Sequence, residues 1–91
     1  MKDLFGERED DMEIMSEIEN RIAAAQTRYG HFASTHEALG VALEEWDELR
    51  AAVQMNALES VRYECLDLAA VLIRLARDVR NREDLKARSI K

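Results

Sequence analysis

The sequence predicts an all-α protein, and three observations support this prediction. The 91 residues include no Pro and only three Gly, the two residue types that disfavour helix interiors most strongly. Leu, Ala, Glu and Arg, which are good helix formers, dominate the composition. Apolar residues recur every three or four positions over long stretches, as they do on one face of a helix. We expect a single domain that gains stability by pairing with copies of itself, because chains this small bury only a modest core.

Local signals divide the chain into helices. Gly30 is expected to end the first helix. Ser34 and Glu37 have the spacing of a capping box, with Ser34 as the N-cap of the second helix. Asn56 is expected to separate the second helix from the third. The predicted helices span residues 7–29, 35–55 and 58–80, followed by a short helical or frayed segment at 82–90.

Charge and apolar content exclude several classes of protein. The net charge of −6 is not that of a general nucleic-acid binder. The single cysteine, Cys65, excludes an internal disulfide. No stretch approaches the ~20 apolar residues of a membrane span, and the start of the chain does not resemble a signal peptide. We therefore expect a cytoplasmic protein with neither nucleic-acid nor membrane partners.

The second and third helices each carry two parallel stripes at helical spacing. One stripe on each helix is apolar and is predicted to form the core. The other stripe carries two carboxylates three residues apart, flanked by small or apolar residues. On the second helix the apolar stripe is Leu39, Ala42, Leu43, Trp46, Leu49 and Val53, and the carboxylate stripe is Val41, Glu45, Glu48, Ala52 and Met55. On the third helix the corresponding stripes are Leu58, Val61, Cys65, Leu68, Leu72, Leu75 and Val79, and Ser60, Glu64, Asp67, Val71, Arg74 and Asp78.

The two carboxylate stripes predict a metal site. If the two helices pack antiparallel, Glu45, Glu48, Glu64 and Asp67 face one cleft. Like charges that close do not all ionise without a cation, and carboxylate oxygens favour Mg²⁺, with Mn²⁺ as an alternative. The competing interpretation is that the glutamates are solvated, as Glu residues three apart on a helix usually are.

The motif residues also resemble a known family. Glu44-Glu45-x-x-Glu48 is followed, after fifteen residues, by Glu64-x-x-Asp67. A Tyr-Gly-x-Phe loop and a Ser-x-His-Glu helix start precede these motifs. The pattern, over about residues 29–78, resembles the MazG-like all-α nucleoside triphosphate pyrophosphohydrolases, in particular the short phage and bacterial members.

This resemblance implies a fold, a metal site and a reaction. The implied fold is a four-helix-bundle-like arrangement assembled as dimers or tetramers. The implied Mg²⁺ ligands are Glu45, Glu48, Glu64 and Asp67. The implied enzyme is a hydrolase acting on acid anhydrides, which cleaves a nucleoside triphosphate to the monophosphate and pyrophosphate. Glu44, Glu45 and Glu48 are the candidate catalytic residues, and for Glu44 three roles stay open: orienting a ligand, accepting a proton from water, or facing solvent.

The phosphate side of the predicted site is less well defined. Larger family members carry a further helix whose Lys, Asn and Arg bind phosphates, and the chain after Val79 is short and not clearly matched. Arg74 is the candidate substitute, with an ion pair to Asp78 as the alternative. His36 is the second candidate substrate-binding residue, with a surface role as its alternative. Two other functions stay open: a non-catalytic helical oligomerisation or regulatory protein, and hydrolysis of phosphoribosyl-ATP.

Overall fold

The computed structural model describes the backbone of residues 4–82 and the side chains of residues 10–82. Three α-helices, α1 (Leu4–Tyr29), α2 (Thr35–Gln54) and α3 (Leu58–Asn81), account for nearly all of it, and this part of the chain contains no strand. The prediction of an all-α protein is confirmed, whereas a four-helix arrangement and a homo-oligomer stay predictions. Apart from Arg82, the predicted segment 82–90 lies outside the described residues. Between residues 4 and 82, no helix has the length and apolarity that crossing a membrane requires.

Gly30 ends α1 and Ser34 is the N-cap of α2, as predicted from the sequence. Gly30 has a φ of 73°, and its N–H donates to Gln26 O at 2.9 Å, so α1 ends in a left-handed residue that favours glycine. Ser34 Oγ accepts from Glu37 N–H at 3.1 Å. Glu37 Oε1 accepts from Ala33 N–H at 3.0 Å. The capping box is therefore present, with its return bond reaching the residue before the N-cap.

A tight turn joins α2 to α3 and makes them an antiparallel hairpin. Asn56 has a φ of 55°, a conformation that Asn tolerates better than most residues. Ala38, near the start of α2, belongs to one core cluster with Val71 of α3, and Leu75 in the second half of α3 packs against that cluster. The hairpin therefore aligns the two helices along most of their length.

The contact between α2 and α3 differs from the predicted one. The buried residues of α2 are all small: Ala38, Ala42 and Ala52. Ala42 belongs to the predicted apolar stripe, Ala52 belongs to the carboxylate stripe, and Ala38 lies between the two. The core stripe predicted on α2 is wrong for the single chain, because four of its five large residues are about half exposed. These exposed residues are Leu39, Leu43, Trp46 and Val53. Alanines allow a close approach of the two helices, so the buried face of α2 is rotated toward the carboxylate stripe.

The same rotation applies to α3. Val71, Arg74 and Asp78, from the stripe predicted to carry the carboxylates, are buried. Leu68 and Leu75 of the predicted core stripe are half-buried against α2. Val61 is half-buried. Three large residues of that stripe are exposed, and Cys65, which we expected to be a buried thiol, is also exposed. Those exposed apolar residues are Leu58, Leu72 and Val79.

Helix α1 lies across α3. Ile18 and Ile22 pack on Leu66 and Ala70, which forms the second small core. Ion pairs flank this contact at two well-separated points of α3: Arg62 Nη2 lies 2.6 Å from Glu17 Oε2, and Arg77 Nη2 lies 2.9 Å from Glu19 Oε2. Because Glu17 and Glu19 are only two residues apart while their partners are fifteen apart, α1 crosses α3. The crossing leaves a wedge-shaped space between α1 and α2, with α3 as its floor.

Candidate metal centre and adjoining pocket

Three of the four predicted metal ligands lie together across the α2–α3 hairpin. One carboxylate oxygen from each of Glu45, Glu48 and Glu64 lies within 4.8 Å of the others. Glu45 and Glu64 are half-buried and Glu48 is exposed. The rotation of both helices toward their carboxylate stripes is what turns these side chains toward each other.

The surroundings of the cluster disfavour the ionised form of its carboxylates. Burial, followed by the charges of Glu48, Asp67 and Glu64, raises the pKa of Glu45 to about 7. Burial and the nearby Glu48 also raise the pKa of Glu64. Glu45 Oε2 is buried and has no hydrogen-bond partner among the described residues. A buried acceptor without a donor is unfavourable, so either a proton or a cation would stabilise this oxygen.

Asp67 lies beside the cluster and has a different partner. Its Oδ1 accepts a hydrogen bond from Arg21 Nε at 2.8 Å. It is nevertheless close enough to raise the pKa of Glu45 and Glu64. A role for Asp67 as a metal ligand therefore stays a prediction. In the structure its partner is Arg21 of α1. The sequence patterns of α2 and α3 did not predict that Arg21 lies at this site. Arg21 belongs to α1, which carries no motif that marks it as part of the site.

Glu44 lies apart from the carboxylate cluster. It is exposed and is not one of the three clustered carboxylates. The carboxylates that meet are those at positions 45 and 48, three residues apart. A catalytic part for Glu44 stays a prediction.

A pocket of about 820 Å³ opens beside the carboxylate cluster, in the wedge between α1 and α2. Glu45 and Asp67 form part of its wall, so the cluster borders the pocket. Arg21 and Arg28 from α1 line the same space, together with Tyr29 and with Phe32 of the connecting loop. The pocket thus combines carboxylates, guanidinium groups and aromatic rings.

Arg74, the predicted phosphate ligand, is deeply buried. Only 5% of it is exposed. Its Nη2 donates to Gly30 O at 3.0 Å, and its guanidinium lies 4.2 Å from the centroid of the Phe32 ring. Arg74 still contributes to the lining of the pocket. It fixes the α1–α2 loop onto α3, and its part in substrate binding stays a prediction.

Asp78 does not serve as the partner of Arg74. Its carboxylate accepts from His31 Nδ1 at 2.8 Å and from Phe32 N–H at 3.2 Å. Arg82 Nη1 lies 3.8 Å from Asp78 Oδ2. Asp78 is only 3% exposed, so these donors stabilise its buried charge. Asp78 therefore does not form the ion pair that the sequence offered as the alternative role of Arg74. Its contacts instead hold the loop between α1 and α2 against α3.

The two histidines occupy different surroundings. His36 is exposed in the first turn of α2 and is absent from the pocket lining in the described chain. His31 lines the pocket and is held by Asp78. Of the two, His31 is nearer to a ligand that would occupy the pocket.

Comparison of the chain with family models, curated proteins and solved structures finds no match. The resemblance to MazG-like enzymes thus rests on the motif residues alone and stays a prediction.

Proposed function

We propose that this protein is a Mg²⁺-dependent nucleotide pyrophosphohydrolase, which cleaves a nucleoside triphosphate to the monophosphate and pyrophosphate. The observation that carries the proposal is the meeting of Glu45, Glu48 and Glu64 at the edge of a pocket that also contains arginines. A pocket of about 820 Å³ falls in the size range of small-molecule sites. Its mixture of acidic and basic groups suits a metal–polyphosphate complex.

The donor set fits a hard divalent cation. All three clustered ligands supply carboxylate oxygens, which Mg²⁺ and Mn²⁺ prefer. The partnerless Glu45 Oε2 is the atom that gains most from a cation. Asp67 adjoins the cluster as a fourth ligand. When bound, the cation neutralises phosphate oxygens and lowers the pKa of a coordinated water.

The glutamates of α2 and Arg74 have separate parts in the proposed site. Glu45 and Glu48 hold the cation side, and Glu44 on the next face of α2 is the candidate to accept a proton from the attacking water. Phosphoryl transfer depends mainly on positioning and charge stabilisation. The buried contact of Arg74 with Gly30 O keeps the loop that closes one end of the pocket in place.

We propose in addition that the chain assembles with copies of itself as a dimer or tetramer. Leu39, Trp46 and Val53 recur every seven residues on α2, and Leu58, Cys65, Leu72 and Val79 do so on α3. At about 100° per residue, both lines turn away from the pocket. Large exposed apolar patches are typical of interfaces. Among residues 10–82, four of the nine buried apolar residues are alanines, and so small a core offers little stability to a lone chain.

One observation favours a second candidate, a non-catalytic helical oligomerisation or regulatory protein that retains the fold. Arg74 is used to hold Phe32 and Gly30, so the residue expected to bind phosphate has a structural partner already. In that case the carboxylates bind a cation, or protons, without turnover.

Pyrophosphate release distinguishes the two candidates. The full-length protein is incubated with canonical and modified nucleoside triphosphates and with Mg²⁺ or Mn²⁺. We expect release from at least one of them, and a loss of at least 100-fold in Glu48→Gln. Glu59→Gln, at an exposed position in the first turn of α3, is the matched control and should keep the wild-type rate. Absence of release from every triphosphate with either metal contradicts the enzymatic proposal.

A further inference from the structure

Helix α1 supplies a basic wall to the pocket. Arg21, Ala25 and Arg28 follow one another at intervals of four and three residues, which places them on one side of the helix. All three line the pocket. Ala25 between the arginines leaves room for a ligand to approach the helix. The wall faces the carboxylates of α2 and α3 across the same space.

Arg28 is available to an anion. Its guanidinium lies 5.2 Å from the centroid of the Tyr29 ring, a contact that orients the group without neutralising it. Among residues 10–82, no carboxylate forms an ion pair with Arg28. An exposed cation in a pocket, held over an aromatic ring, is suited to bind a phosphate oxygen.

Arg21, at one end of the basic wall, is in direct contact with a carboxylate. Its Nε donates to Asp67 Oδ1 at 2.8 Å, and its guanidinium lies 5.6 Å from the centroid of the Tyr63 ring. A quarter of its side chain is exposed, as is 42% of the Asp67 side chain. The pair is accessible to solvent, so its exchange for other charged partners is not costly.

We propose that Arg21 and Arg28 bind the polyphosphate of the substrate, and that Arg21 exchanges Asp67 for a phosphate oxygen when a cation occupies the carboxylate site. This inference rests on the proposed function and assigns its phosphate side to α1. Two charges change partners together: the guanidinium moves to an anion, and the Asp67 carboxylate becomes free for the cation. Binding of the cation and binding of the polyphosphate therefore favour each other, as linkage requires.

Inorganic pyrophosphate is the probe that tests the basic wall. Its affinity for the full-length protein is measured by calorimetry with Mg²⁺ in excess. We expect Arg28→Gln to weaken pyrophosphate binding by about tenfold or more, because it removes one charge-assisted hydrogen-bond donor. Arg50→Gln, which removes an exposed arginine paired with Asp47 on α2, makes the same change in net charge outside the pocket and should leave the affinity within about twofold of the wild type.

Arg21→Gln tests the exchange of partners, because it should move two affinities in opposite directions. Pyrophosphate should bind more weakly, while Mg²⁺ alone should bind several-fold more tightly since Asp67 has lost its competing partner. A residue that only supports the fold would weaken both. A circular dichroism melt identifies any loss of structure, and Arg21→Lys, which keeps the charge, should restore part of the pyrophosphate affinity.

The outcomes separate this inference from the proposed function. The inference is overturned if wild-type protein does not bind pyrophosphate, if Arg28→Gln binds it as well as Arg50→Gln does, or if Arg21→Gln weakens the binding of Mg²⁺ alone. Binding that depends on Arg21 and Arg28, without hydrolysis of any triphosphate, supports the inference and removes only the enzymatic proposal.

Discussion

Replacing Glu45 with Gln should stabilise the metal-free protein at alkaline pH. In the folded chain the pKa of Glu45 is raised from 4.5 to about 7, so the folded state retains a proton that the unfolded state loses. The free energy of unfolding therefore falls as the pH rises from about 4.5 to about 7, and the loss is complete above that window. Gln carries no charge at any pH, so the variant escapes this loss.

The magnitude follows from the change in pKa. At about 1.4 kcal/mol for each pKa unit, the rise corresponds to ~3 kcal/mol against the ionised form. Because Glu45 is only half-buried, screening by solvent lowers the expected gain to about 1–2 kcal/mol at pH 8. For a domain of this size, that gain corresponds to a rise in the melting temperature of roughly 5–15 °C. At pH 5, where Glu45 is protonated in the folded chain, the gain should be under about 0.5 kcal/mol.

The assay is thermal unfolding followed by circular dichroism at pH 5 and pH 8, with a chelator present and at a fixed protein concentration. Glu44→Gln is the matched control, because it makes the same chemical change at an exposed neighbour and should shift the melting temperature by no more than a degree or two. A Glu45→Gln variant that is destabilised at pH 8, or stabilised equally at both pH values, would refute the charge repulsion described for the cluster.

Three further predictions concern the cation, the apolar face and the loop. Millimolar Mg²⁺ should raise the melting temperature of the wild type more at pH 8 than at pH 5, because protons compete with the cation for Glu45. The same Mg²⁺ should hardly change the melting temperature of Glu48→Gln. Equal shifts of the wild type at both pH values would contradict this competition. Leu43→Glu should convert an oligomer into a monomer, measured by light scattering after size-exclusion chromatography, while Glu59→Gln keeps the wild-type mass; an unchanged mass in Leu43→Glu would place the interface elsewhere. Gly30→Ala should lower the free energy of unfolding by about 1 kcal/mol. Because no atom lies within 4 Å of a Cβ at this position and φ is 73°, backbone strain is the cost. Urea denaturation measures this change, and an unchanged midpoint would contradict the left-handed cap.

The helices and their ends were predictable because the signals for them are local. Gly30, Ser34 and Asn56 act through their own backbone or through neighbours a few residues away. α2 and α3 begin at the predicted residues and end within one residue of the predicted ends. α1 instead begins at Leu4, three residues before its predicted start. The bounds of α2 and α3, which have local signals, therefore needed no knowledge of packing.

The buried faces were not predictable from periodicity alone. Two stripes competed for the interior of each helix, and hydrophobicity favoured the one with Trp46 and the leucines. The structure buries the alanines of α2, Ala42 of that stripe included, and leaves Trp46 about half exposed, because close packing of the hairpin selects small residues. In a chain that pairs with copies of itself, large apolar residues are also explained by an interface, and sequence patterns do not distinguish an interface from a core.

The carboxylate cluster was predictable in part. Spacing along α2 and α3 predicted that Glu45, Glu48 and Glu64 face one cleft, and the hairpin brings them together. The contact of Asp67 with Arg21 depends on how α1 crosses α3, which no repeat or motif in α1 encodes. The buried position of Arg74 likewise depends on the loop folding back over α3.

The most direct test of the metal site is a crystal structure of the full-length protein with Mn²⁺ and a non-hydrolysable nucleoside triphosphate. We predict an anomalous difference peak between Glu45, Glu48 and Glu64, with the Asp67 carboxylate turned toward it and the triphosphate in the pocket beside α1. A bound triphosphate with no anomalous peak at these carboxylates, or a peak held by other residues, would contradict the proposed site.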